Sequence, residues 1–175
     1  MHKYLLAGCL SALTLTPLAA AMTEQSALPP GEAKPAFIVP LAAKSLLTDV
    51  VEITGGQFVA VGDRGHILLS QDGTNWQQAQ VPVQSLLTSV YFTDADYGWA
   101  VGHDATILHS QDGGKTWQIQ QFLPETDKPL MDVYFFDRQR GMAVGAYGMF
   151  FTTNDGGNTW DKAFYLSLAS VDDQE

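Results

Sequence analysis

From Leu47 onward the chain alternates short apolar runs, rich in Val, Ile, Phe and Trp, with polar turns built on Gly, Asp, Asn and Ser. In the middle of the sequence these runs are Ser89 to Thr93, Trp99 to Val101, Thr106 to Ser110 and Trp117 to Gln121. Runs of this length and composition between turn signals predict strands rather than helices. The pattern then repeats. Leu47-Thr48-Asp49-Val50 aligns with Leu87-Thr88-Ser89-Val90 and Leu130-Met131-Asp132-Val133, and Val59-Ala60-Val61-Gly62 with Trp99-Ala100-Val101-Gly102 and Met142-Ala143-Val144-Gly145. Four antiparallel strands in a unit of about 40 residues describe one propeller blade. The expected fold is therefore all-β: a partial β-propeller with three four-stranded blades at residues 44–83, 84–124 and 125–165.

The third turn of each unit carries the most regular motif. Ser70-Gln71-Asp72-Gly73-Thr74-Asn75-Trp76 recurs as Ser110-Gln111-Asp112-Gly113-Gly114-Lys115-Thr116-Trp117 and as Thr153-Asn154-Asp155-Gly156-Gly157-Asn158-Thr159-Trp160, with 41 residues from Trp76 to Trp117 and 43 from Trp117 to Trp160. A carboxylate at this point accepts hydrogen bonds from the N–H groups that follow it, and Gly supplies a backbone with positive φ. The tryptophan opens the next strand and is expected to bury its ring under the turn. Ser70, Asp72, Gly73 and Trp76, Ser110, Asp112, Gly113 and Trp117, and Thr153, Asp155, Gly156 and Trp160 are thus assigned structural roles. The motif resembles the Asp-box, or BNR repeat, of sialidases and other propellers; the first copy is one residue short and lacks the Thr.

In a meander, the turns after strands one and three share a face. The Asp-box tips therefore lie with Thr93 to Gly98 and Asp137 to Gly141. The opposite face carries Asp63 to His66, His103 to Thr106 and Ala146 to Gly148, with the interblade connections Val81 to Leu86 and Leu123 to Leu130. Propellers by analogy bind through that second face, which makes Arg64, His66, His103, Asp104 and Tyr147 the candidate partner-binding residues.

The ends of the chain differ from its centre. Residues 1–21 read as an export signal: His2 and Lys3 are followed by an apolar stretch, and Leu18-Ala19-Ala20-Ala21 supplies small residues for cleavage. Export to the periplasm is expected, with a lipid anchor at Cys9, in Leu6-Ala7-Gly8-Cys9, as the alternative. Cys9 is the sole cysteine, so cleavage after Ala21 leaves no thiol for disulfides or metal. Residues 22–43, rich in Ala, Pro and Glu, read as a linker with a possible latch strand at 37–39. Residues 166–175 read as a tail or the start of a further blade. Propellers close with about four to eight blades. Three repeats are expected to be part of a longer propeller or a truncated frame, or else an arc completed by self-association through its open blade faces or by another protein.

Charge and residue inventory remove several functions. Nineteen acidic residues against nine basic ones give a net charge of −10, which argues against nucleic acid. After signal removal no membrane span is expected. Sialidase chemistry needs three converging arginines. The chain has Arg64, Arg138 and Arg140 in total, and the first lies on the face opposite the other two. A paired-carboxylate glycosidase site could draw only on Asp63 and Asp104, which read better as loop caps. His66, His103 and His109 lack the further ligands of a metal site. The box aspartates lack the six to eight oxygens that calcium takes. No catalytic residue, metal or cofactor is assigned.

The whole repeat carries a closer resemblance. Leu130-Met131-Asp132-Val133-Tyr134-Phe135, Tyr97-Gly98-Trp99-Ala100-Val101-Gly102 and Gly141-Met142-Ala143-Val144-Gly145, each with its Asp-box, resemble the photosystem II stability and assembly factor family over about Lys44 to Tyr165. The resemblance implies exported seven-bladed propellers that act as assembly chaperones in oxygenic phototrophs, holding a precursor tail on an arginine-rich patch. No such patch carries over to this acidic chain. The expected function is a non-enzymatic exported scaffold that binds a protein, such as a membrane-complex subunit; the alternative is a glycan-binding or sialidase-like propeller.

Overall fold

The computed structural model describes residues 32–163. The export signal, the first part of the linker and the tail at 166–175 lie outside the described residues. Twelve strands form three four-stranded antiparallel sheets. The first sheet holds β1 (Leu47–Ile53), β2 (Gln57–Gly62), β3 (Ile67–Ser70) and β4 (Gln77–Gln78). The second holds β5 (Leu87–Phe92), β6 (Gly98–Gly102), β7 (Ile107–Ser110) and β8 (Gln118–Gln121). The third holds β9 (Leu130–Phe135), β10 (Gly141–Gly145), β11 (Phe150–Thr153) and β12 (Asp161–Lys162). Each sheet runs in sequence order, the meander of a propeller blade. The three-blade, all-β expectation holds.

Both faces of the middle blade's inner strands are covered: every residue of β6 and of β7 is buried. One core cluster lies between blades 1 and 2, joining Val59, Val61 and Ile67 to Leu87, Ala100, Leu108 and Trp117. A second lies between blades 2 and 3, joining Trp99, Val101 and Ile107 to Leu130, Phe135, Ala143 and Phe151. In that cluster Trp99 is fully buried, stacked on His109 of its own sheet at 4.8 Å between ring centroids and on Phe135 of the next blade at 3.5 Å.

The first strands of the three blades sit side by side and are tied by polar side chains. Thr48 Oγ1 donates to the carbonyls of Val61, in its own blade, and Leu87, in the next, at 3.1 and 2.6 Å. Thr88 repeats this with Val101 and Leu130 at 3.1 and 2.7 Å. Asp49 accepts from the Val90 N–H at 2.9 Å and from Ser89 Oγ, which also donates to Asp132 at 2.9 Å. The equivalent of Thr48 and Thr88 in blade 3 is Met131, which is exposed.

The latch expected at 37–39 is not a strand. The chain there is extended along the outer edge of blade 1, held by the Ala36 N–H on the Val81 carbonyl at 2.9 Å and by Gln78. The amide of Gln78 donates to the Phe37 carbonyl at 2.8 Å and accepts from the Val39 N–H at 3.0 Å. Side-chain bonds stand in for ladder bonds because Pro35 and Pro40 bracket the segment and β4 is short.

Candidate partner-binding face

Each turn between the second and third strands of a blade is clamped from behind by the segment that leads into that blade's first strand. The N–H groups of Asp63, His103 and Ala146 donate to the carbonyls of Leu46, Leu86 and Pro129 at 2.9, 2.9 and 3.0 Å. The residue just before each turn is a glycine because the connecting chain lies too close for a side chain: a Cβ on Gly102 would stand 2.2 Å from the Leu86 carbonyl oxygen. Pressed against that chain, the turn bends through the left-handed region at its tip.

The residues at the three tips are Arg64, Asp104 and Tyr147, with φ of 55°, 60° and 57°. A non-glycine side chain there costs about 1–2 kcal/mol, yet three equivalent positions accept it with three different side chains. Tyr147 is 83% exposed and the Arg64 side chain 78%. Asp104 is half-buried; it accepts a hydrogen bond from Ser85 Oγ at 2.5 Å, and its own carbonyl accepts from the Leu123 N–H at 2.7 Å. Lys128 Nζ lies 5.6 Å from the Tyr147 ring centroid, within cation–π range. Arg64 Nε is 3.4 Å from Asp63. His103 is exposed beside Asp104.

His66 does not belong to this surface. It is 2% exposed, at a position occupied in the other blades by buried Thr106 and Met149, because the backbone after the tip turns back into the blade. Burial lowers its pKa, with Asp63 opposing and Arg64 adding to the shift, and Nδ1 has no partner among the described residues. Sequence reasoning missed Ser85 and Lys128; their signal is their place in the interblade connections, opposite the turn tips.

The other face is built from the Asp-boxes, and their chemistry is spent on the turns. In the second box Ser110 Oγ accepts from the Gly114 N–H at 2.9 Å and donates to Asp112 Oδ1 at 2.9 Å, while Asp112 accepts from the Thr116 N–H at 2.9 Å and the Thr116 hydroxyl at 2.6 Å. The third box repeats this through Thr153, Gly157, Asp155 and Thr159. The shorter first box keeps it with Asn75, whose N–H and side-chain amide both donate to Asp72 at 2.7 Å. These donors hold Asp155 at a pKa of about 2, the Thr159 hydroxyl contributing most. For Asp72 the downward shift comes chiefly from the Asn75 N–H. Gly73, Gly113 and Gly156 all take positive φ.

The box tryptophans are not equivalent. Trp117 is buried between blades 1 and 2. Trp160 packs on the cluster between blades 2 and 3, edge-on to Phe135 at 5.8 Å. Trp76 packs only on its own blade, against Ala60 and Leu68, with Ala42 beside it. The ring expected to be buried is half-exposed at both Trp76 and Trp160, and only that of Trp117 is buried.

Arg138 and Arg140 also serve the box face. Arg138 Nε meets Asp94 at 2.7 Å, and its guanidinium lies 3.9 Å from the Tyr97 ring centroid, linking blades 2 and 3; Arg140 pairs with Asp137 at 2.8 Å. Burial works to raise the pKa of Asp94, but the hydrogen bonds from Arg138 and from the N–H groups of Asp96 and Tyr97 outweigh it and hold it at about 2. Arg64 is at the opposite ends of the strands, so the three arginines do not converge. Among the described residues no cluster of His, Cys, Asp and Glu could hold a metal ion, and no helix is long and apolar enough to cross a membrane.

Known proteins resemble parts of this chain in sequence and in fold. The family described as Photosynthesis system II assembly factor YCF48 matches residues 68–128. A photosystem II assembly protein Ycf48 of Synechococcus sp. (strain JA-3-3Ab) is 48% identical over 48 residues, which are 26% of this chain and 14% of that protein. The chloroplastic photosystem II stability/assembly factor HCF136 of Guillardia theta is 41% identical over 51 residues, 28% and 13% of the two chains. Among solved structures, YCF48 from Cyanidioschyzon merolae superposes with a TM-score of 0.58 at 25% identity, over 74% of this chain and 43% of that one. YCF48 bound to D1 peptide superposes with a TM-score of 0.60 at 21% identity, over 78% and 45%. The chain thus spans less than half of the solved structures and a small part of the curated relatives it matches.

Proposed function

We propose that this chain, whose repeats are those of the photosystem II assembly factor-like propellers, is a non-enzymatic, exported scaffold that binds a protein and assists assembly of a membrane-associated complex. The observation that carries the reading is the row of left-handed turn tips. Arg64, Asp104 and Tyr147 occupy equivalent, backbone-clamped positions on one face, and residues held in sparsely populated backbone conformations cluster at functional sites. A cation, an anion and an aromatic ring held on a rigid frame suit a polypeptide with mixed side chains better than a uniformly charged polymer. A related structure holds a D1 peptide, which supports a polypeptide ligand. The identity of the client does not carry over, because the arginine-rich patch implied by the resemblance is not on this face.

The sialidase-like alternative is not favoured by any contact: every box carboxylate is saturated by its own turn, and the arginines lie on opposite faces. The test is affinity capture from the periplasmic fraction with the full chain and with a triple variant, R64A/D104A/Y147A. The reading expects one or more proteins retained by the first and lost by the second. Equal capture by both, or none by either, would contradict it.

A further inference from the structure

The two blade boundaries follow one plan but are filled differently at their Asp-box ends. The N–H of Gly113 donates to the Asp96 carbonyl at 3.0 Å and that of Gly156 to the Gln139 carbonyl at 2.8 Å, so Ala95 of blade 2 stands where Arg138 stands in blade 3. Between blades 2 and 3 the Arg138 guanidinium lies over the Tyr97 ring, and Tyr97 and Trp99 both pack on His109. Between blades 1 and 2 the strand register puts Gln57, Val59 and Leu69 in the places of Tyr97, Trp99 and His109. Gln57, Val59 and Ala95 are smaller than the residues they stand for. They leave a groove of about 600 Å³ between the first and second boxes, within the range of about 300–1,000 Å³ usual for small-molecule sites. Blade 1 lines it with Gln57, Leu69, Gln71, Asn75 and Gln77, and blade 2 with Lys115. Both walls therefore belong to a boundary that the described residues complete.

Four of these side chains are amides, each offering donors and an acceptor in one plane. Gln57 is held in place: its Nε2 donates to the Gly113 carbonyl at 2.7 Å, and its Oε1 accepts from Gln71 Nε2 at 2.8 Å. The side chains of Gln77 and Lys115 make no hydrogen bond or ion pair among the described residues. Asp72, the one carboxylate on the wall, is spent on its own box, accepting from the N–H groups of Thr74 and Asn75 and from the Asn75 amide. We infer that this groove binds a saccharide. Vicinal hydroxyls, each at once donor and acceptor, match the amides of Gln71 and Gln77, and Lys115 donates to a hydroxyl or ring oxygen. A polypeptide would seat an aromatic or arginine anchor in a desolvated pocket, which an open amide wall does not provide, and a phosphate compound would meet a single cation. No bond is made or broken, since the carboxylate is saturated. The groove is at the opposite ends of the strands from Arg64, Asp104 and Tyr147, so it can fail while the proposed function stands.

The test is saturation-transfer difference NMR on the full chain, with di- and trisaccharides of glucose, galactose and N-acetylglucosamine as probes and a tryptic digest of casein as the polypeptide control. At least one saccharide is expected to bind saturably, with a dissociation constant of about 1 mM or below. Q77A/K115A removes two unpartnered groups from exposed positions and should weaken that binding about tenfold or more. Q57Y/A95R rebuilds this boundary with the residues found between blades 2 and 3 and should abolish binding by filling the groove. R64A/D104A/Y147A should bind as the wild type does. Far-UV circular dichroism checks that each variant is folded. No saturable transfer to any of these saccharides at about 10 mM would overturn the inference. So would binding that either groove variant leaves within about twofold of wild type, or transfer to the casein peptides alone.

Discussion

Replacing Trp99 by alanine tests the blade-to-blade core most sharply. The ring is fully buried between His109 and Phe135, and a tryptophan buries about 150–250 Å². At about 25 cal/mol per Å² this is an upper figure of about 4–6 kcal/mol. Against it stands the indole N–H, which is buried with no partner among the described residues and costs the native state about 1–3 kcal/mol. The net loss expected for W99A is therefore about 3 kcal/mol, within the range of large-to-small core substitutions. W99F keeps an aromatic ring against Phe135 and removes the orphan donor, so it should lose less than about 1.5 kcal/mol. The assay is urea unfolding followed by far-UV circular dichroism. With a slope of about 2 kcal/mol per M, W99A should lower the midpoint by about 1.5 M. A W99A midpoint within about 0.3 M of wild type, or a W99F loss equal to that of W99A, would refute the packing argument.

The other predictions use the same unfolding assay. T88V should lose about 1 kcal/mol, because the Leu130 carbonyl then lacks the hydroxyl that ties blade 2 to blade 3; an unchanged midpoint would mean the tie carries no load. D112A should lose about 1 kcal/mol, the scale of a lost side-chain cap, since the Thr116 N–H and hydroxyl lose their acceptor. Burial lowers the pKa of both His66 and His109 below 6.5. The unfolded chain then binds more protons than the folded one, so stability is full above about pH 6.5 and falls as pH drops below it. H66M and H109L, which borrow the residues of blades 3 and 1 at the same positions, should flatten this slope between pH 7.5 and 5; an unchanged slope would contradict the assignment. Asp94 and Asp155, held at about 2 against an ordinary 3.8, add a second loss as pH falls below about 4.

The fold was legible because repetition makes its own alignment. A strand boundary misplaced in one copy is corrected by the other two, and the Asp-box pins the third turn of each. In the middle blade the runs ending at Thr93, Val101, Ser110 and Gln121 fall within a residue of the observed strand ends. The same averaging hid what differs between copies. Trp76, Trp117 and Trp160 share a motif, but only Trp117 is buried while Trp76 and Trp160 are half-exposed, a difference no local pattern encodes. His66 looked like part of a surface loop because Asp63, Arg64 and Gly65 are turn residues. Its burial is set by the left-handed bend before it, and only the buried Thr106 and Met149 in the other copies hint at that. The segment at 37–39 has strand composition, yet it is tied to blade 1 by the side chain of Gln78, with Ala36 just before it on the Val81 carbonyl, a pairing that β-propensity does not register. The row of tips was visible as loop positions; its backbone conformation was not, since Arg, Asp and Tyr do not advertise a positive φ.

The face bearing Arg64, Asp104 and Tyr147 is proposed to bind a protein. Photo-crosslinking in cells tests it most directly, with a benzophenone amino acid placed at position 147, or at position 115 on the Asp-box face as control. A discrete protein adduct is expected from position 147 and none from position 115. Adducts of equal strength from both positions, or from position 115 alone, would contradict it.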